Sequence, residues 1–342
     1  MILDLLRAIL TLGGLGLITG LMLAIAYARL AVRLNEKEGL VRGALPGLNC
    51  GVCGFTSCDN YARLVAEGKA QPNLCLIGGP EVINRLSEIL EAEIELDEGK
   101  IAVVRCKGGK ETAIERFRYY GPEDCRFNYL LLGGNKACSY GCLGLGHCVT
   151  VCPVKAIRMG PDRLPIIDPK KCTGCGICVQ ECPRQVIELI PKEQLIYLAC
   201  KSLDKGKRVK EVCSKGCITC TICVKVCPFE GAISVDPGQP DHKGNIPVIY
   251  YDICTSCGIC RALCPTDSFV DRVKVRPYAI ISLNCDGCGE CIKVCKVKAI
   301  DGKTGSKHKV IKEKCIGCGQ CFKVCPKKAI TIAGALGYAK TI

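Results

Sequence analysis

Residues 172–183 read CTGCGICVQECP. Cys172, Cys175, Cys178 and the Cys182-Pro183 pair stand at the spacing CxxCxxCxxxCP, and this run decides the fold. A loop with two residues between successive thiols can wrap three corners of an iron–sulfur cubane. The next turn of chain then carries the fourth thiol away to a neighbouring cubane, so such runs work in pairs. The run recurs at Cys217, Cys220, Cys223 and Cys227-Pro228, at Cys254, Cys257, Cys260 and Cys264-Pro265, and at Cys315, Cys318, Cys321 and Cys325-Pro326. A fifth copy, Cys285, Cys288, Cys291 and Cys295, has Lys296 in place of the proline. A sixth, Cys138, Cys142, Cys148 and Cys152-Pro153, is stretched.

Exchange of the fourth ligand within each pair predicts six [4Fe–4S] sites. Cys138, Cys142 and Cys148 take Cys182, while Cys172, Cys175 and Cys178 take Cys152. Cys217, Cys220 and Cys223 take Cys264, and Cys254, Cys257 and Cys260 take Cys227. Cys285, Cys288 and Cys291 take Cys325, and Cys315, Cys318 and Cys321 take Cys295. Most runs are followed by a short apolar pair: Ala156-Ile157, Val186-Ile187, Ala232-Ile233, Ala299-Ile300 and Ala329-Ile330. These pairs are expected to cover a cluster and open a strand, giving a small α+β ferredoxin module three times over. Zinc ribbons also use CxxC pairs, but they split four ligands two and two and have no use for a third step repeated six times.

Ahead of the array, NCGVCGFTSC at 49–58 carries Cys50, Cys53 and Cys58, with Cys75 seventeen residues on. Gly51 and Gly54 permit tight wrapping. A helical pattern from Asn60 to Glu67, stopped at Gly68, would carry the chain out and bring Cys75 back as fourth ligand of a seventh cluster. Seven sites use 28 of the 32 cysteines and leave Cys106, Cys125, Cys200 and Cys213, which we read as the ligands of an eighth cluster. His147, beside Cys148, reads as an exposed loop histidine in preference to a Rieske-type ligand. His242 and His308 sit in polar stretches that suggest no role.

The chain of 342 residues lacks Trp and has a formal charge of +14. That excess is not a nucleic-acid signature. Each oxidised four-thiolate cluster carries about −2, so seven of them bring the loaded protein close to neutral. Ala8 to Ala28 is uncharged over its whole length, enough to span a bilayer core. Arg7 before it, and Ala24-Ile25-Ala26 within it, imitate a cleaved signal peptide. The run is longer than a signal core, however, and Arg29, Arg33, Lys37 and Arg42 follow closely, which predicts a single-pass anchor in the cell membrane with the C-terminal bulk in the cytoplasm. That compartment keeps thiols reduced for cluster ligation. Gly16 and Gly20, in GxxxG spacing with Gly13 and Gly14 nearby, would let another helix approach.

The stretch LPGLNCGVCGFTSC followed by Cys75, after one N-terminal helix, resembles the B subunit of the Rnf complexes, the ion-translocating ferredoxin:NAD oxidoreductases. The stretch from Cys106 through LLGGNKACSYGCLGLGHCVTVCP (131–153) is similar to the long, multi-ferredoxin form of that subunit. The departures are Ser57, where a glycine usually precedes the third ligand, and Lys296. The resemblance implies a translocase subunit with no complete active site of its own. It would take electrons from reduced soluble ferredoxin and relay them to redox centres in membrane subunits. Flavin subunits would then deliver them to NAD, with sodium or proton export. The chain has no GxGxxG fingerprint after a strand, so neither flavin nor NAD is expected on it.

From Cys285 onward there are twelve lysines, no arginine and four acidic residues. Ferredoxins are typically acidic, so this terminal lobe is the expected docking face, with Lys307, Lys309 and Lys312 on it. Glu81 to Glu98 is acidic, with Val82, Ile83, Leu86, Ile89 and Leu90 on one helical face, and reads as an amphipathic spacer. The expected organisation is an anchor (1–30), an N-terminal 4Fe–4S domain (31–80), a spacer with Cys106 and Cys125 (81–135), and ferredoxin modules at 136–192, 213–272 and 273–342, with a linker at 193–212. Two other roles fit the cysteine pattern: a polyferredoxin subunit of a hydrogenase- or quinone-linked membrane oxidoreductase, and a non-redox metal scaffold.

Overall fold

A computed structural model describes residues 2–30, 36–94, 99–235 and 246–333; Arg33 and His242 lie outside them. The chain divides into two compact units, Met1–Glu95 and Leu96–Ile342.

The first unit opens with the helix Ile2–Leu30. Its segment Ile9–Arg29 has a mean hydropathy of 2.2 over 21 residues, long and apolar enough to cross a membrane. Leucines and isoleucines are exposed all round it, from Leu10 and Leu12 to Leu21 and Leu23. The hydroxyls of Thr11 and Thr19 donate back to the carbonyls of Arg7 and Leu15, which keeps them satisfied in an apolar medium. Three short helices, Glu36–Ala44, Cys58–Ala66 and Gly79–Leu90, then share a core of Val41, Tyr61, Ala62, Val65 and Leu86. The acidic segment read as a spacer thus begins as the last of these three short helices, with Val82, Ile83 and Leu86 buried as its periodicity requires.

The second unit repeats one plan three times. Each ferredoxin module has an inner hairpin after its first cysteine run: Ile157–Met159 with Pro165–Ile167, Ile233–Ser234 with Val248–Ile249, and Ile300–Asp301 with Lys309–Val310. Each also has an outer antiparallel ribbon, in which a strand ahead of the first run pairs with the strand after the second. In the last module Tyr278–Ile281 pairs with Ile330–Ala333. In the first, Lys100–Val104 pairs with Ile187–Pro191, and in the second, Ile196–Leu198 pairs with Phe269–Asp271. Segments read from the sequence as spacer and linker therefore supply the outer strands of two modules.

The expected apolar pairs behave alike. All ten residues are buried, and each pair's isoleucine opens a strand. After Cys264 the same place is taken by Ser268-Phe269, which the apolar pattern did not reveal. Ala102 and Val104 pack on the cysteine-lined core of the first module, while Ile101 and Val103 pack with Ile190, Tyr197 and Ala199 on the other face. The period-2 strand is buried on both sides and joins the first module to the second.

Candidate functional site

In the first unit, Gly51 and Gly54 take the left-handed backbone (φ +71° and +86°) that a tight wrap around a metal core needs. Cys58 opens the helix Cys58–Ala66, and Ser57 caps it by accepting the Asn60 N–H at 3.1 Å. That is the work of the serine standing where a glycine was expected. The buried Tyr61 hydroxyl donates to the Gln71 carbonyl (2.8 Å) and accepts the Leu74 N–H (3.2 Å), which fixes the loop that returns Cys75. Burial pushes the Cys75 thiol up, and Cys53, Cys58 and Cys50 add to the shift, so the four expected ligands lie near one another.

In the ferredoxin runs a short helix starts one residue before each third cysteine, as in His147–Thr150, Ile177–Gln180 and Gln320–Val324. The fourth cysteine sits in a turn whose third following residue is left-handed: Lys155, Gln185, Asp267, Lys298 and Lys328. That turn aims a backbone N–H at sulfur. Cys152, Cys295 and Cys325 accept from Ala156, Ala299 and Ala329, and Cys264 accepts from Ser268, all at 3.2–3.3 Å. Cys295 makes this bond with Lys296 behind it, so the missing proline leaves the turn intact. After Cys227 the turn is one residue longer, and Gly231 takes the left-handed position.

The thiols assemble across runs. Burial pushes Cys178 up to about 12, with further contributions from Cys175, Cys172, Cys148 and Cys152. Cys217 is pushed to about 12 by burial, with Cys200, Cys223 and Cys264 adding. Cys321 is likewise at about 12, with Cys318, Cys315 and Cys295 around it. One cavity is lined by Cys227, Cys254, Cys257 and Cys260, and another by Cys295, Cys315, Cys318 and Cys321. Each holds the three close cysteines of one run and the fourth of its partner.

The stretched run is sorted differently from the sequence reading. Cys125, Cys142, Cys148 and Cys182 line one cavity, and Cys106, Cys138, Cys200 and Cys213 line a second. Cys138 and Cys125 have exchanged places relative to expectation. The reason lies in backbone pairing. Segment 112–116 runs between two neighbours: Ile114 N–H donates to the Val212 carbonyl and Ala137 N–H donates to that of Ile114, both at 2.9 Å. This draws Cys138 towards Cys213. Meanwhile Asp124 caps the helix Cys125–Leu130 and sets Cys125 near Cys148, where it adds more than any other thiol to a shift raised mainly by burial. Cys106 and Cys200 follow directly on the outer strands of modules one and two, so insertions in those modules supply all four residual cysteines.

The histidines also differ from expectation. His147 is buried, with Nδ1 3.3 Å from Asp124 and Nε2 3.0 Å from Glu181, so it ties together the residues preceding Cys125 and Cys182. His308 is buried with Nδ1 3.4 Å from the Cys291 sulfur. His147 was expected to be an exposed loop residue, and the polar flanks of His308 gave no sign of its burial.

These donor sets fit a [4Fe–4S] core. Each of the four cavities is lined by four cysteines, the ligand count such a core takes. Among the described residues no three side chains close around a single point, whereas a cubane takes its thiolates at four separate irons. Burial penalises the bare thiolate at Cys142, Cys178, Cys217 and Cys321, and bound iron reverses that preference. Such a core, when bound, supplies one-electron storage.

Known proteins carry the same features. An Fe–S cluster family profile matches residues 45–77, 4Fe–4S dicluster domains match 216–268, 246–296 and 279–332, and a 4Fe–4S binding domain matches 165–188. The chain is 42% identical to the B subunit of the Na(+)-translocating ferredoxin:NAD(+) oxidoreductase complex of Acetobacterium woodii, over 77% of each chain. It is 39% identical to the B subunit of the ion-translocating oxidoreductase complex of Methanosarcina acetivorans, over 76% of this chain and 96% of that one. With the B subunit of the proton-translocating ferredoxin:NAD(+) oxidoreductase complex of Clostridium ljungdahlii it shares 43% identity over 74% and 87%.

Proposed function

Because the chain belongs to the family of B subunits of ion-translocating oxidoreductase complexes, we propose that it receives electrons from reduced soluble ferredoxin and relays them, one at a time, to redox centres in partner membrane subunits, with NAD as the final acceptor. It is the iron–sulfur subunit of such a complex. The helix Ile2–Leu30 anchors it, and Arg29 and Arg42 after the apolar run hold the array on the cytoplasmic side. The relatives named for sodium and for protons resemble this chain equally. The choice of ion therefore belongs to partner subunits, in keeping with a single spanning helix free of charge across its apolar stretch.

The observation that carries the relay is the adjacency of the thiol sets. Cys142 lies in electrostatic reach of Cys106, Cys217 of Cys200, and Cys257 of Cys318, so successive modules bring thiols of neighbouring sets close together. The set Cys106, Cys138, Cys200 and Cys213 fills the step between modules one and two. With it, all 32 cysteines are ligands and the chain holds eight clusters. Lys136 supports that reading: it is 2% exposed, donates to the Gly108 carbonyl, and lies in electrostatic reach of Cys142 and Cys213. A buried ammonium with no carboxylate partner among the described residues calls for the negative charge a four-thiolate cluster would bring.

The test is an iron count on anaerobically purified protein. Eight clusters give about 32 irons per chain and seven give about 28. Cys138→Ser should remove one cluster and leave the Cys125, Cys142, Cys148 and Cys182 site loaded. A count near 28 that is indifferent to this substitution would remove the eighth site.

A further inference from the structure

Modules one and two are joined by a shared thiol set, but modules two and three share none. What lies between them is the connecting segment Arg276-Pro277, which passes between two cluster loops. The Arg276 guanidinium donates from one Nη to the carbonyl of Cys257 (2.7 Å) and, more weakly, to that of Ile316 (3.4 Å). Its other Nη pairs with the Asp271 carboxylate. Arg276 is thus fixed to module two through Asp271 and reaches the loop of Cys257 and the loop of Cys318 together. Only a planar fork makes these contacts at once; a lysine ammonium has neither the spread nor the rigidity.

Both loops are shaped to receive the segment. A Cβ on Gly258 would stand 2.3–2.6 Å from the guanidinium atoms of Arg276, and one on Gly317 would stand 2.4 Å from Pro277. Both glycines are left-handed, at φ +85° and +65°. The loops therefore carry a glycine where the wedge enters: a side chain at 258 would displace the guanidinium, and one at 317 would push against Pro277 and its backbone. A second contact closes the same junction: Lys323, in the helix after Cys318, sits over the Phe229 ring at 5.0 Å. Burial pushes the Cys257 thiol up to about 12, and among the neighbouring thiols Cys318 contributes most, ahead of Cys227 and Cys254 of its own set.

The geometry points to Arg276 as the positioning residue for electron transfer between the second and third ferredoxin modules, holding the Cys257 and Cys318 loops at a fixed separation. Its positive charge lies beside both loops and favours the more negative, reduced form of either cluster. The step it serves is a single electron leaving one cluster and reducing the other, with no bond made and no proton moved. This rests on the relay reading above and goes beyond it by naming what sets one of its steps.

The test uses the full-length protein, purified anaerobically, with Arg276→Lys and Arg276→Ala. Lys keeps the charge and loses the fork, while Ala loses both. Hydrogen exchange at the amides of 257–259 and 316–318 should accelerate in both variants. Bleaching by reduced ferredoxin should lose its single phase and split into two, separating the two sites of the last module from the rest. Only Ala should also lower the reduction potentials of the flanking clusters. If ferredoxin docks on the last module, the minor amplitude is the fast one; if it docks elsewhere, the split persists with the amplitudes reversed, so an error about docking is told apart from an error about Arg276. Should Arg276→Ala fail to retain iron, Arg276→Lys and the exchange rates decide. Wild-type exchange and one unchanged bleaching phase in Arg276→Lys would overturn the proposal.

Discussion

Lys136 shows how much a single side chain can say about a site that holds iron. An ammonium buried without a carboxylate is normally a liability, and replacing it with an apolar chain of similar length should then stabilise the fold by about 1–4 kcal/mol. If the neighbouring thiols hold a cluster, the sign reverses. Lys136→Met removes the compensating charge and should cost about 3 kcal/mol, with a lower melting temperature and faster loss of iron to a chelator. An anaerobic melt of the variant beside the wild type reads the sign directly, and a stabilised variant with full iron content would contradict the charge argument. Nothing in the sequence marks this residue, which sits in GGNKAC (133–138). His147 was hidden in the same way: its place in a stretched loop suggested exposure, and its partners Asp124 and Glu181 are both far from it in sequence. Ligand residues were legible because cysteine spacing encodes loop geometry. Their sorting into sites was legible only where the spacing is regular, and at Cys138 it is not.

At the level of elements, the joints between modules are made by loops that reach across. Lys107, three residues beyond the first outer strand, donates to the Asp267 carboxylate at 2.8 Å and to its carbonyl at 2.7 Å. Lys215 and Arg261 reach the same carboxylate at 3.1 and 3.0 Å. Burial alone would raise the Asp267 carboxyl, but hydrogen bonds from Lys107 and Lys215 outweigh it and hold the group below the ordinary carboxylate range. A depressed carboxylate contributes stability above its unfolded pKa and loses it as pH falls through the folded one. Asp267→Asn should therefore cost about 1–2 kcal/mol at neutral pH. The gap from wild type should hold down to about pH 5 and close only below the ordinary value near 4. A gap that widened on acidification would mean that another group is responsible. Sequence reading found the strands that open right after a cysteine run, those of the inner hairpins and the second strands of two outer ribbons. It missed their partners, because Lys100–Val104 pairs with a strand some ninety residues later, and no local pattern carries that distance.

For the whole molecule the question is where electrons enter. The thiol sets form an ordered series whose last member lies in the most basic part of the chain, where twelve lysines face four acidic residues. Two clusters at about −2 each still leave that lobe positive. The opposite end of the array offers no such excess, and an acidic donor protein is steered by field as much as by fit. Lys307 and Lys309 are exposed, whereas Lys312 lies over the Tyr278 ring at 4.3 Å and contributes to packing. Reversing only the first two therefore tests steering without disturbing the module. Lys307→Glu with Lys309→Glu should slow reduction by ferredoxin about tenfold at low ionic strength. It should also flatten the dependence of that rate on salt, since fewer charges remain to be screened. Reduction by dithionite, a small anion that needs no docking face, should change far less. Stopped-flow bleaching over a salt series measures both quantities, and an unaltered rate with an unaltered salt slope would move the point of entry away from the terminal lobe.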